Sequence, residues 1–412
     1  MIRALEPLTL GYDWEMAVLR PSGENVSEKD VTELGDDLRS KLSWAETGTD
    51  LELLESRIGA VRSFGELLKK SERFDEVLTE ELERRGWGLL RLGARPFQME
   101  PVGAHVHVGT VSSTRAAIGI QNGMIPYTAP LAALCVNSAV YRSRWGDYKS
   151  YRVASFAEGC STPQGVYRPE TSQWIWGTDV NAKHAWGSTV ELRVADCTGS
   201  VRLMCEVTAF VAGMMFHVAE HGLDREVGTD EYREFLVNRW RAARHGLQAV
   251  FERNGRGIEV VSLLTEMLEM AQDGLELLGT SVGDLKVVRA MLRKRQTQAD
   301  FQRALFEMDG CDPYRHTRTM MNVQRDPRAF ERYLRTAPML EALEPEDHDA
   351  FLLGLVEVET PYHMLLRATP LGPDALDRLL ERLVREGLVV EGRDPMGVRT
   401  YTRAGALPEQ PN

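Results

Sequence analysis

Gly103-Ala104-His105-Val106-His107-Val108-Gly109-Thr110 alternates imidazole with valine, so an extended chain puts His105 and His107 on one face and Val106 and Val108 on the other. Two histidines on the polar side would each cost desolvation free energy if that side were simply core. Other stretches repeat the device. Residues 8–19 contain Gly11-Tyr12-Asp13-Trp14-Glu15-Met16, where Asp13 and Glu15 share a face, and Thr189-Val190-Glu191-Leu192-Arg193-Val194-Ala195-Asp196 does the same with Glu191 and Arg193. A strand region over residues 51–61 carries Glu52 and Glu55.

Outward from these strands the pattern changes. A charged amphipathic helix is expected over residues 74–85, ended by Gly86. After Asp196 the periodicity is helical, over residues 204–221, 230–254, 258–278 and 285–308. The fold class is therefore α+β, with strands and helices first and helices after. An acidic stretch at residues 341–349 reads as a linker, which divides the chain into domains at 1–340 and 345–412. In the second, Leu376, Leu379, Leu380 and Leu383 fall at helical spacing before Gly387, and residues 388–390 and 399–402 form a candidate two-stranded wing. That order resembles a winged helix. Residues 344–412 hold 13 Asp and Glu against 7 Arg and no Lys, the wrong sign for a DNA reader.

The whole chain of 412 residues has 49 Lys and Arg against 61 Asp and Glu, a net charge of −12, which disfavours broad contact with nucleic acid or an anionic membrane. The apolar stretch at residues 116–141 is interrupted by Gln121, Asn122, Pro126, Pro130 and Asn137, so a buried helix pair is expected there rather than a membrane span. Five cysteines without CxxC spacing, and an N-terminus without a signal or transit pattern, give the expectation of reduced thiols in a cytoplasmic protein.

Asp13, Glu15, Glu55, His105 and Glu191 are hard oxygen donors plus imidazole, a set that suits Mg²⁺ or Mn²⁺ better than a thiolate zinc site. Arg193 would add a fixed positive charge where a transferred phosphoryl group or an oxyanion develops charge. No Gly-x-x-x-x-Gly-Lys-Ser/Thr loop or Gly-x-Gly-x-x-Gly fingerprint occurs, so any ATP is expected in another architecture. Two features compete. His217-Val-Ala-Glu220-His221 fits a short zinc-peptidase pattern, although two histidines at a helix C-terminus are also favoured by the helix dipole. Tyr167, Trp174 and Trp176 offer a stacking platform for a base or, equally, a piece of core.

The order Gly-x-Asp13-x-Glu15, Leu54-Glu55-Ser56-Arg57-Ile58, Gly93-Ala94-Arg95-Pro96-Phe97, Gly-Ala-His105-Val-His107-Val-Gly, Lys149-Ser150-Tyr151-Arg152 and Thr-Val-Glu191-Leu-Arg193-Val-Ala-Asp196 resembles the glutamate–cysteine ligase type 2 family of carboxylate–amine ligases over residues 8–310. The helical segments Arg239-Trp-Arg-Ala-Ala-Arg244-His245-Gly246 and Arg295-Gln296 extend the resemblance. It implies the glutamine synthetase fold, a curved antiparallel sheet forming a funnel with helices outside it. By position it implies Asp13, Glu15, Glu55, His105 and Glu191 as metal ligands and Arg193 and Glu55 as catalytic groups. His107 and Arg193 would lie near the nucleotide, and Arg152, with Ser150 beside it, would clamp a substrate carboxylate.

The chemistry so implied is ATP- and Mg²⁺-dependent amide formation through an acyl phosphate, joining an amino acid carboxylate, such as the γ-carboxyl of glutamate, to an amine such as cysteine. The resemblance also implies a homo-oligomer acting on small amino acid substrates. The chain departs from the pattern where Asp13 replaces a Glu, Arg95 replaces a His, and Lys183 stands near a usual Arg. A guanidino kinase of related fold and an amino-acid-sensing regulator derived from a ligase domain are the alternative readings.

Overall fold

Strand β1 (Leu5–Leu19) is the spine around which the molecule is built, because a run of 15 residues with apolar side chains on alternate positions can pair along both edges. The computed structural model describes residues 4–50, 52–95, 101–141, 144–145, 148–155, 179–183, 188–223, 228–343, 352–353, 356, 360–368, 373–394 and 396–404. Beside β1 lie β2 (Ala45–Asp50), β3 (Leu53–Val61), β4 (Gly88–Leu90) and β5 (Ala104–Val111). A small hairpin of β6 (Val140–Tyr141) and β7 (Arg144–Trp145) stands apart, and β8 (Val180–Ala182) and β9 (Val190–Leu192) complete the main sheet. Its order is β2-β3-β1-β5-β9-β8, with β4 also paired to β1, and every pairing is antiparallel.

The register sets Glu15 opposite Glu55, Asp13 opposite both Arg57 and His105, and His107 opposite Glu191. Side chains on those positions therefore share one face. The other face carries Tyr12, Trp14, Met16, Leu54, Ile58, Val106, Val108, Val190 and Leu192, all buried. It packs on the helices Phe64–Arg85 and Val201–His221. Burying a face of Val, Leu, Ile and aromatic side chains at roughly 1.5–3 kcal/mol each is what holds sheet to helices.

Helix Val201–His221 is the one helix among the described residues long and apolar enough to cross a membrane, yet 89% of its apolar window is buried inside the protein, as befits a core helix. Residues 116–141 are a single helix, Thr114–Cys135, running on into β6 rather than the helix pair expected. Pro126 and Pro130 lie inside it, and its nearly all-round burial overrides their local cost.

Other boundaries also shift. The helix expected over 74–85 begins ten residues earlier, at Phe64, capped by Ser63 and closed by left-handed Gly86. The stretch 230–254 is helix Thr229–His245 followed by β10 (Val250–Arg253), which turns at Asn254-Gly255 into β11 (Arg256–Glu259). Helix Val260–Met270 follows, and the stretch 285–308 breaks at left-handed Arg295 into Lys286–Lys294 and Gln298–Met308.

The C-terminal residues build a separate small core of Leu352, Val356, Leu365, Leu376, Leu379, Leu380, Leu383, Val389 and Tyr401. The expected helix (Pro373–Arg385) and hairpin, β13 (Val389–Arg393) with β14 (Arg399–Arg403), are present, and β12 (Thr360–Pro361) adds a third strand to β14.

His245, at the end of its helix, gives the fold a pH response. Burial first, then the nearby cations Arg244, Lys149, Arg303 and Arg241, push its imidazole down to about 3. An unfolded histidine protonates near about 6.5. The stability gained by keeping His245 neutral is thus fully present above about pH 6.5 and is lost as the pH falls toward 3. The expected result is a melting temperature that drops between about pH 7 and about pH 5, and drops less in His245→Asn.

Candidate active site

The polar face of the main sheet gathers the residues that the sequence singled out. On β1, Asp13 Oδ2 lies 3.1 Å from His107 Nε2 and 3.8 Å from Arg57 Nε. Glu15, 6% exposed, accepts a hydrogen bond from the Gly103 N–H at 2.5 Å, and its other oxygen is 3.6 Å from His105 Nε2. On β3, Glu55 Oε2 pairs with Arg57 Nη2 at 2.5 Å. Gly103 leaves room for both side chains here, since a Cβ would come within 2.6 Å of His105 Nε2 and 2.7 Å of Arg152 Nη2 and one of them would have to shift.

Glu191, fully buried on β9, is the centre of the cluster. One oxygen faces Arg193 Nη1 at 2.9 Å, His107 Nε2 at 3.5 Å and His105 Nδ1 at 3.6 Å, and the other faces Lys183 Nζ at 2.9 Å and Asn181 Nδ2 at 3.3 Å. Burial alone would raise its pKa, but Arg193, the two imidazoles and Lys183 outweigh burial and hold the carboxyl well below the usual range. The other carboxyls go the opposite way. Burial pushes Glu15 up to about 7, against the Gly103 hydrogen bond and the fields of Arg152 and Arg193. Burial and the neighbouring Asp13 raise Glu55 despite Arg57, and burial holds His105 neutral, well below its usual range.

The donor set fits a divalent cation in its chemistry. A buried carboxyl such as Glu15, shifted to about 7, is a group whose charged form gains most from an ion beside it. As placed, however, no three of these His, Asp and Glu side chains among the described residues are already gathered around one ion position. Arg57 and Lys183 occupy oxygens of Glu55 and Glu191, so ion binding there requires those two side chains, 47% and 36% exposed, to swing aside.

Arg152 and Ser150, expected at a substrate carboxylate, belong to a hydrogen-bonded layer around Asp196. Arg152 donates to the backbone carbonyls of Arg193 at 2.9 Å and Val194 at 3.2 Å, and lies 3.8 Å from Asp196 Oδ1. Its guanidinium is committed to fixing the chain that carries Arg193. Ser150 is fully buried and donates to Asp196 Oδ1 at 3.0 Å while accepting from the Val153 N–H. Asp196 ties this layer together, also accepting from Ser138 Oγ at 2.8 Å and the Asn137 N–H at 2.6 Å. Ser150→Ala is accordingly expected to lower stability by about 1–3 kcal/mol, read from the denaturant midpoint, with no rise in substrate KM.

Arg57, Asn181 and Asp196 are contacts whose roles the strand pattern did not announce, and Arg95 is buried with its Nη1 donating to Asn25 Oδ1 at 2.6 Å. His217 and His221 sit at a helix end with ring centroids 4.8 Å apart, and no third donor joins them among the described residues. Tyr167, Trp174 and Trp176 lie outside the described residues.

The chain superposes on the glutamate–cysteine ligase of Francisella tularensis in complex with AMP with a TM-score of 0.52, at 11% identity and covering 94% of each chain. It superposes on the Pup ligase PafA in complex with the prokaryotic ubiquitin-like protein Pup with a TM-score of 0.51, at 14% identity, covering 97% of this chain and 89% of that one. At such identities the likeness is one of fold.

In sequence, the chain is 26% identical over 364 residues to a "Putative glutamate–cysteine ligase 2" of Thermobifida fusca (strain YX), covering 73% of this chain and 87% of that protein. A protein of the same name from Bradyrhizobium sp. (strain BTAi1) is 27% identical over 187 residues, a match that spans 45% of that relative's length. No protein-family model matches the chain. The resemblance to the glutamate–cysteine ligase type 2 family carried by the strand motifs is thus shared by relatives of that name.

Proposed function

We propose that the chain is an ATP-dependent ligase that joins a carboxylate to an amine, with an amino acid such as glutamate supplying the carboxylate through its γ-carboxyl and an amine such as cysteine as acceptor. The observation that carries this reading is the buried Glu191, ringed by Arg193, Lys183, His105 and His107, on the same face as Glu15 and Glu55, whose carboxyls are shifted toward neutrality. Opposed shifts on one sheet face are a feature that reacting sites share.

In this reading the substrate carboxylate attacks the γ-phosphorus of ATP, the bond to the bridging oxygen breaks, and ADP leaves. The amine then attacks the acyl phosphate, releasing phosphate and a proton as the amide forms. Asp13, Glu15, Glu55, His105 and Glu191 would hold Mg²⁺ or Mn²⁺, which when bound supplies charge neutralisation to the triphosphate. Arg193 stabilises charge on the transferred group, held in place by Glu191 at its side chain and by Arg152 at its backbone. His107, bridging Asp13 and Glu191, orients both carboxylates. Residues 1–340 form the catalytic domain of a cytoplasmic homo-oligomer, and residues 345–412 a winged-helix unit whose acidity suits packing rather than DNA.

The test is ADP release by the purified chain with Mg²⁺-ATP across a matrix of amino acid carboxylates and amines, with products identified by mass. ADP together with an amide adduct from one pair establishes the reaction. Amino acid binding without turnover by any pair rejects it and favours a regulator built on a ligase domain.

A further inference from the structure

The polar face carries its own cations on the oxygens that an ion would need. Lys183 Nζ lies 2.9 Å from Glu191 Oε2, and Arg57 Nη2 lies 2.5 Å from Glu55 Oε2, with its Nε 3.8 Å from Asp13 Oδ2. Arg57 stands two residues from Glu55 on β3, so the two side chains leave the strand on one face. Lys183 follows directly after β8, where its N–H donates to the Thr189 carbonyl at 2.8 Å and keeps it level with the start of β9.

The two partners in each pair are unequal. Glu191 and Glu55 are buried, whereas Lys183 and Arg57 are half-exposed on long stems. A buried carboxylate needs a counter-charge to stay ionised, and a half-exposed cation that leaves it regains water at little cost. Glu15 is the contrast on the same face. Among the described residues the one basic group at ion-pair distance from it is the imidazole of His105, which burial holds neutral, and the Glu15 carboxyl is pushed up to about 7. Arg193 differs from Lys183 and Arg57, being only 21% exposed and having its backbone carbonyl held by Arg152.

We propose, resting on the reading of this face as an ion-assisted ligase centre, that Lys183 and Arg57 are internal counter-ions, seated on Glu191 and Glu55 until a divalent cation displaces them. Ion binding at this face is then an exchange of cations. The exchange keeps the carboxylates charged and the fold intact without an ion, and it makes the hold on the ion weaker than the donor set alone would give.

Mn²⁺ binding to the full chain, followed through the electron paramagnetic resonance of the free ion with no nucleotide present, tests this. Lys183→Met and Arg57→Met keep most of the stem and remove the charge. Each is expected to tighten Mn²⁺ binding about tenfold, the worth of a unit charge a few ångströms from a divalent ion in water. Lys183→Arg should bind as wild type does. Lys69→Met, an equal change of net charge at an exposed position of helix Phe64–Arg85, should leave the affinity unchanged. Melting curves supply the second reading: under a chelator Lys183→Met should melt below wild type, and Mn²⁺ should raise its melting temperature by more than it raises that of wild type. Circular dichroism establishes that each variant is folded, and if Lys183→Met is not, Arg57→Met decides the matter. Wild-type binding that neither variant tightens overturns the exchange and leaves the ion centre standing. Tightening in one variant alone overturns the role of the other cation. No Mn²⁺ binding by any of these proteins overturns the exchange and the ion-assisted reading together.

Discussion

Glu191→Gln is expected to lower ADP release by about a hundredfold to a thousandfold, the scale on which preorganised charge at a reacting centre acts. The side chain is fully buried, and its two oxygens face Arg193 and Lys183 at 2.9 Å each. Gln keeps the shape and one accepting oxygen but removes the charge, so Arg193 and Lys183 lose the counter-charge that holds them on this face. The same change costs stability. Breaking a buried ion pair costs about 3–5 kcal/mol when the surviving charge stays buried, but Lys183 and Arg193 retain 36% and 21% exposure and can regain water. The expected loss is therefore smaller, about 1–3 kcal/mol, read as a fall of a few degrees in melting temperature. Glu191→Asp separates the two effects: it keeps the charge, so much of the stability should return, while the retracted carboxylate leaves turnover low. A folded Glu191→Gln protein retaining more than about a tenth of wild-type turnover would end the case for this face as the reacting centre.

How much of this was legible in the sequence depends on the length over which a pattern runs. Strands β1 and β5 announced themselves because polar and apolar residues alternate for several positions, and the same alternation correctly put Asp13, Glu15, His105, His107 and Glu191 on one face. Strand β2 did not, since Ala45-Glu46-Thr47-Gly48-Thr49-Asp50 is an edge strand with only Ala45 and Thr47 buried. Asn181 reaches Glu191 from β8 and Lys183 from the residue just after it, and at three residues that strand is too short to show a period. The β10–β11 hairpin was readable, because Asn254-Gly255 is a strong turn signal, but the helical pattern on both sides masked it.

Ser150 and Arg152 pose a different question. Their place in a motif block says that they matter, not which way they point. The direction is set by Asp196 and by the backbone of residues 193–194, more than forty positions away in sequence. Gly93 marks the same contact, since a Cβ there would fall 2.2 Å from Asp196 Cγ. Local sequence carries the strand faces, and long-range packing decides which polar groups of a motif face the cleft and which brace it from behind.

Glu15→Gln should separate function from stability in the opposite sense to Glu191→Gln. Burial raises the Glu15 carboxyl to about 7 in the folded chain, against about 4.5 when exposed. A raised carboxyl contributes stability that is fully present below about 4.5 and is lost as the pH climbs through about 7. Above that pH the ionised side chain costs the fold about 3–4 kcal/mol, since every tenfold change in proton affinity corresponds to about 1.4 kcal/mol. Gln mimics the protonated form at every pH and still accepts from the Gly103 N–H. In the presence of a chelator, Glu15→Gln should thus melt a few degrees higher than wild type near pH 8 and level with it near pH 5. With Mn²⁺ in place of the chelator the order should reverse near pH 8, because an ion that binds the folded carboxylate stabilises wild type and finds a neutral amide in the variant. Turnover should be lost at both pH values. Equal melting curves for the two proteins under chelation near pH 8 would mean that Glu15 is solvated rather than buried uncompensated. The cleft would then lack the stored electrostatic cost that a divalent ion is expected to relieve.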